Sequence, residues 1–326
     1  MQKQDNHSPT PTPTHTSVLL REAIAGLAIK AGGIYVDATF GRGGHSQAIL
    51  EKLGPNGRLL AIDLDPEAIS VAKKAPFVSD TRFEITQTSF SGLLAEVSKR
   101  GWLGLVDGVL LDLGVSSPQL DDPTRGFSFL REGPLDMRMD PSQGIDASTW
   151  INGADVTEIA DVLYQFGEEK MSRRIARAIV FAREQSRIET TTQLATIIEK
   201  ALLKNGKKEK HKHAATRSFQ AIRIFINQEL SALTKCLPQI VDVLAVGGRM
   251  CVISFHSLED RIVKQFIQRE SSNDTFPAHL PITQEQLKAL QNTRLRKIGK
   301  SIEASDREIQ QNPRARSARL RVAEKV

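Results

Sequence analysis

The chain has 326 residues, 40% of them hydrophobic and 25% charged, enough to bury a full core and to hold two domains, or one domain with a large insert. No window approaches the roughly 18 to 20 apolar residues that a membrane span needs, and the opening run MQKQDNHSPTPTPTHT has no apolar core for a signal peptide, so a soluble cytoplasmic protein is expected. Cys236 and Cys251 form no C-x-x-C pair, which argues against a disulfide framework, while a net charge of +6 and a pI near 9.3 are compatible with a polyanionic partner.

In chain order, residues 1–14 read as a disordered tail. Four short apolar or β-branched runs follow, at 33–40, 57–65, 82–90 and 106–114, and each reads as a strand. Helical patterns lie between them, such as SQAILEKL and PEAISVAKKA, the second opening on Pro66, which a first helical turn tolerates. Repeated β-α units of this length predict a parallel, doubly wound α/β sheet of Rossmann-like type. Next, the turn-rich residues 125–141, with Arg125, Arg131 and Arg138, read either as a lid over a substrate or as a plain connector.

A fifth strand, at 247–255, comes only after roughly 130 further residues, and a loop that long is not credible inside one compact domain. The expected division is therefore a main domain over 15–120 and 215–326 and an inserted helical domain, for substrate recognition, over 121–214. Residues 157–169, 170–185 and 191–203 carry helical periodicity. At about 100° per residue, the second places Met171, Ile175, Ala178, Ile179 and Ala182 on one side and Lys170, Arg173, Arg174 and Arg177 on the other. That basic face is either solvated or made for phosphate, and the polar run 204–217 beside it reads as a mobile basic loop. Residues 216–237 form one long helical pattern whose stripe of Phe219, Ile222, Ile226, Leu230 and Leu233 returns it to the main sheet. The C-terminal run 314–326 alternates in part and reads as a sheet-edge strand with Arg314, Arg316, Arg319 and Arg321 around it.

The sharpest chemistry lies at 36–46, VDATFGRGGHS. Gly41, Gly43 and Gly44 sit between a strand and a helix, where a bare backbone can turn tightly and offer amides to a negatively charged ligand group. Asp63 ends the next strand about 20 residues later, the place where nucleotide-binding α/β folds put a carboxylate on ribose hydroxyls. Ser46 stands where a nicotinamide-binding G-x-G-x-x-G would have its last glycine. Asp37, four residues before Gly41, instead suits the glycine loops of S-adenosylmethionine enzymes, whose ligand carries an amine, a carboxylate and a ribose but no pyrophosphate.

The stretches HTSVLL, DATFGRGGHS, AIDLDPEAI, DGVLLDLGVSSPQLDDPTRGFSF, GPLDMRMDP, HAATRSFQAIRI, SFHSLEDRIVK and NPRARSARLR, in order from His15 to Arg321, resemble the bacterial 16S rRNA cytosine-N4 methyltransferase family, RsmH or MraW. The resemblance implies a class I S-adenosylmethionine-dependent methyltransferase fold with an inserted helical domain. It also implies S-adenosyl-L-methionine as cofactor, no metal, and methylation of a cytosine N4 amine in the decoding region of small-subunit rRNA. The partner would be that rRNA or the small ribosomal subunit, without a membrane. Free RNA against assembled subunit, and the oligomeric state, a homodimer included, are left open.

Matched motif by motif, the resemblance implies cofactor contacts at Gly43, Gly44, His45, Asp63, Phe90, Asp112 and Gln119. Asp63 is independently motivated by ribose binding. Phe90, ending the third strand, would by itself be read as core, and His45 as a helix-start cap. Asp112 is also the candidate catalytic residue, because a hydrogen-bond acceptor on the target amine would localise its lone pair and take up its proton. However, DLGVSSPQ departs from the pattern of amino-methylating enzymes, an acidic residue or Asn followed by Pro-Pro and an aromatic, and leaves no obvious aromatic to stack the base. Candidates for RNA contact are Arg125, Arg138, Lys170, Arg173, Arg174, Arg177 and His256. Two other classes stay in play: a nicotinamide-dependent dehydrogenase, disfavoured by Ser46 and Asp37, and a noncatalytic RNA-binding ribosome-assembly factor, disfavoured by the intact cofactor motifs.

Overall fold

A computed structural model describes residues 17–203, 215–271 and 293–326. The expected tail at 1–14 and most of the basic run 204–217 lie outside these residues. The four predicted runs become β1 (Ile34–Asp37), β2 (Arg58–Asp63), β3 (Phe83–Gln87) and β4 (Val106–Asp112), with α1 (Leu20–Leu27), α2 (Gly44–Lys52), α3 (Pro66–Ala72), α4 (Leu93–Lys99) and α5 (Ser117–Asp121) around them. The insert supplies α6 (Ala147–Gly153), α7 (Val156–Gly167), α8 (Ser172–Gln185) and α9 (Thr191–Leu202). The chain returns through α10 (Thr216–Ile226), α11 (Glu229–Val243), β5 (Leu244–Ser254), α12 (Ser257–Ser271), β6 (Leu295–Glu303), α13 (Asp306–Gln311) and β7 (Arg319–Lys325).

The sheet has seven strands in the order β3-β2-β1-β4-β5-β7-β6. The first five pair in parallel, and β7 is antiparallel to both β5 and β6. Their apolar runs are continuous because both faces are covered. Leu60, Ile62, Val109 and Leu111 turn to one side, against α4, α11 and α12, whereas Leu59, Ala61 and Leu110 turn to the other, towards the side chains of α1, α2 and α3. The result is the doubly wound class I architecture that the resemblance implied. Both cysteines are free and buried, and burial pushes their thiols up to about 12. Among the described residues no helix is long and apolar enough to cross a membrane.

Two sequence expectations need correction here. The C-terminal run does form a strand, but β7 lies inside the sheet between β5 and β6. The edge is β6, LRKIGKSIE, whose charged, mostly exposed residues gave no apolar alternation to read and suit a strand facing water. The predicted helix over 216–237 is two helices, broken where Gln228 takes a left-handed φ of 50°. The apolar stripe runs across the break, so its halves serve different cores: Phe219 and Ile222 pack with Leu163, Ile175 and Ile198 of the insert, and Leu233 packs under the sheet. Asn227 fixes the break by donating to the Met137 carbonyl at 2.8 Å and accepting from the Met139 amide at 2.7 Å.

Candidate active site

Loops at the carboxyl ends of the parallel strands enclose a cavity of about 290 Å³, the position where open α/β sheets bind ligands. Of the expected cofactor residues, Gly44, His45, Asp63, Phe90, Asp112 and Gln119 line it. Gly43 stands behind the wall. At a φ of 80°, a Cβ there would lie 2.4 Å from the Phe77 ring and 2.8 Å from the Phe40 ring, so this glycine lets the loop press onto the edge-to-face Phe40–Phe77 pair. Phe90 is half-buried, packing against the core and facing the cavity as well.

Asp63 closes β2 and holds the loop above it, accepting from the Gly41 amide at 2.7 Å and the Asp65 amide at 2.9 Å. Burial raises its pKa against those bonds. Asp37 departs from expectation: it is fully buried and does not line the cavity. It accepts from Ser46 Oγ at 2.7 Å and the Thr39 amide at 3.2 Å, and burial raises its pKa to about 6. Ser46 therefore replaces the last glycine of a dinucleotide fingerprint in order to anchor this carboxyl.

Sequence reading missed Asp65, which is the hub of the cavity wall. Its carboxylate caps α3 through the Glu67 amide at 2.9 Å, accepts from Gln119 Nε2 at 2.6 Å, and pairs with Arg125 Nη1 at 2.9 Å. Gln119 also accepts from the Ser116 amide at 2.7 Å, closing a capping box on α5. Arg125, a candidate for RNA contact, is thus engaged inside the protein. Only 7% exposed, it donates onward to the carbonyls of Arg138 and Met139 and fastens the 125–141 segment to the cavity, which Met139 lines. Arg138 is likewise engaged internally, in a two-pronged pair with Asp136 at 2.9 and 2.7 Å.

The far end of the cavity is acidic. Asp112, at the end of β4, has one oxygen buried with no hydrogen-bond partner among the described residues. Its other oxygen lies 3.6 Å from His45 Nδ1, beyond hydrogen-bonding distance. Burial lowers His45 to about 4, so at neutral pH the imidazole is uncharged and does not balance the carboxylate. Burial first, then the nearby Asp37 and Glu259 charges, holds Asp112 well above the usual carboxylate range.

Glu259 also lines the cavity, and burial alone would raise its pKa. His256, the Phe255 amide and Arg223 together bring it below the usual range instead. His256 is turned inward, with Nε2 3.1 Å from Glu259 Oε1 but without a hydrogen-bond partner among the described residues. Glu229, His256 and Glu259 bring potential metal-ligand atoms within 4.8 Å of one another, yet Glu229 is already clasped by Arg223 at 2.8 and 2.9 Å, and Glu259 accepts the Phe255 amide at 2.8 Å.

Lys170, Arg173, Arg174 and Arg177 are all exposed at the start of α8 and before it. Their opposite face buries Ile175 and Ile179. The structure therefore keeps the predicted cationic face, none of which lines the cavity, but corrects Met171, expected on the apolar side, which is exposed among those cations because it precedes the first turn of α8.

Residues 12–326 match the MraW methylase family. Two relatives, each called ribosomal RNA small subunit methyltransferase H, come from Coxiella burnetii strains RSA 331 / Henzerling II and RSA 493 / Nine Mile phase I. Each is 56% identical over 312 residues, covering 96% of this chain and 99% of that protein. Among solved structures, an rRNA methylase from Streptococcus thermophilus aligns over 96% of this chain and 99% of its own, with a TM-score of 0.38 at 12% identity, too distant to bear on function.

Proposed function

The chain belongs to the MraW methylase family, and on that premise we propose that it methylates the N4 amine of a cytosine in the decoding region of small-subunit 16S rRNA, in the cytoplasm. S-adenosyl-L-methionine supplies the methyl group, carried on its sulfonium. The observation that carries this reading is the pairing of two carboxylates in one cavity. Asp63 stands at the end of β2 for a ribose, and the uncompensated Asp112 stands at an acidic end that calls for a cation. His45 Nε2 and an Asp112 oxygen, buried and without a partner among the described residues, mark polar positions that fit a polar ligand there.

Residue roles follow from this chemistry. Asp63 accepts from the ribose hydroxyls while its bonds to Gly41 and Asp65 fix its rotamer. Leu64, Phe90 and Leu113 supply apolar wall for the purine. Asp112, beside Glu259, would balance the positive end of the cofactor and so help fix it in place; alignment of two bound groups supplies much of the rate of a transfer between them. Incubation with labelled S-adenosylmethionine and unmethylated small subunits, followed by nucleoside mass spectrometry, is expected to yield N4-methylcytidine. A label on any other nucleoside would overturn the base assignment.

Asp63→Ala should weaken cofactor binding by roughly 1.5 to 3 kcal/mol, as for hydrogen bonds to a charged group, while the protein stays folded. Titration calorimetry giving the parent's affinity would remove Asp63 from the ribose site.

The domains divide the work: the main domain, 15–120 and 215–326, holds the cofactor, and the insert, 121–214, with α10 packed into its core, presents Lys170, Arg173, Arg174 and Arg177 to RNA phosphates. The double substitution Arg173→Glu, Arg177→Glu is expected to weaken rRNA binding and flatten its salt dependence, since each phosphate contact adds about 0.7 to 0.9 to the slope of log K against log salt. Cofactor affinity should not change. A salt slope equal to the parent's would make the face merely solvated.

A further inference from the structure

Apart from the cavity, the groove between α7 and α8 has a volume of about 560 Å³ and is lined by Asp161 and Tyr164 on one side and Lys170, Arg173, Arg174 and Arg177 on the other, with Met171 between. Tyr164 is 63% exposed and Met171 41% exposed, although their neighbours Leu163 and Ile175 are fully buried. Lys170, Arg173 and Arg177 have no ion-pair partner among the described residues, and Arg174 donates to the Leu203 carbonyl at 3.3 Å. An open aromatic face beside unbalanced cations is the combination that binds unpaired nucleotides, where bases stack and the backbone tracks positive charge.

We propose that this groove is a second nucleotide site, which takes an unpaired base of the RNA substrate stacked on Tyr164 with its flanking phosphates on Lys170, Arg173, Arg174 and Arg177. The charges set its polarity. Asp161 repels phosphate from the α7 side, so the base lies against α7 and the backbone against α8. Of the other acidic residues nearby, Glu168 is drawn off onto Arg261 at 3.2 Å and Ser257 at 3.1 Å, and the buried Glu169 accepts the Met171 amide at 3.0 Å. The Glu168 contacts tie the end of α7 to the start of α12, which carries Glu259 of the cavity wall. The inference rests on RNA being the substrate and adds where, and in what state, that RNA is gripped.

The test uses the full chain and two labelled RNAs, a hairpin of decoding-region sequence with an unpaired loop and a fully paired duplex of equal length, read by fluorescence anisotropy over a salt series. Tyr164→Ala should weaken hairpin binding roughly tenfold, the order expected for loss of one stacked base, with an unchanged salt slope and unchanged duplex binding. Tyr164→Phe should restore hairpin affinity to within about twofold, because the ring and not the hydroxyl carries the stack. Hairpin binding by Tyr164→Ala equal to the parent's, or equal losses for hairpin and duplex, would overturn the groove while leaving the methyltransferase reading intact. A parent chain that binds neither RNA would overturn the groove as well, whereas the methyltransferase reading falls only if small subunits also stay unlabelled.

Discussion

Arg125→Met is expected to lower the unfolding free energy by about 3 to 5 kcal/mol, the cost of breaking a buried ion pair by removing one partner. Arg125 and Asp65 are 7% and 4% exposed, so water cannot replace the lost guanidinium. Asp65 would keep its bonds to the Glu67 amide and Gln119, but its charge would be left inside a wall that already holds Asp63 and Asp112. The guanidinium also packs over the Phe127 ring at 5.6 Å and holds the carbonyls of Arg138 and Met139, so its loss should free the 125–141 segment and weaken cofactor binding through Gln119. Urea titration is the direct measurement. Adding Asp65→Asn to Arg125→Met should recover part of the lost stability, because the charge left behind carries most of the penalty. A single mutant with the parent's midpoint, or a double mutant no better than the single, would show that the pair does not fasten the wall.

The central sheet and the glycine loop were legible because their signals are local. Strands covered on both faces are written as unbroken apolar runs, and Asp63 was found by its place at the end of the second of them. The network around Asp65 was not legible, since Arg125 is 60 residues away in sequence and a charged residue in a turn-rich segment looks solvated until the fold buries it. The same limit turned His256 and Arg138 inward. The break at Gln228 carries no glycine or proline, so an apolar stripe that continues across it reads as one helix although its halves enter different cores. Tyr164 lies off the apolar stripe of α7, and the sequence alone does not show that the cations of the next helix stand beside it.

Asp112→Asn should separate binding from chemistry at the acidic end. With Asp112 balancing the positive end of the cofactor, the amide should raise the KM for S-adenosylmethionine by up to roughly a hundredfold, the loss of a charged hydrogen-bonding partner of about 1.5 to 3 kcal/mol, and saturating cofactor should restore kcat. Single-turnover rates on unmethylated small subunits settle this. A kcat lower by roughly 10²- to 10⁴-fold at saturation, with affinity intact, would make Asp112 the acceptor of the amine proton instead. Stability should move the other way. Burial and the Asp37 and Glu259 charges hold the Asp112 carboxyl well above its usual range, so the folded state keeps this proton more tightly than the unfolded chain does. Ionising Asp112 therefore costs stability as pH rises from the unfolded pKa through the folded one, and costs nothing below the unfolded pKa, where both states are protonated. The neutral amide escapes that cost. In the absence of cofactor, Asp112→Asn should raise Tm at pH 8 and leave it near the parent's at pH 4. A mutant less stable than the parent at pH 8 would mean that the carboxylate already has a compensating partner in the free protein, and the argument that it awaits the cofactor's positive charge would fail with it.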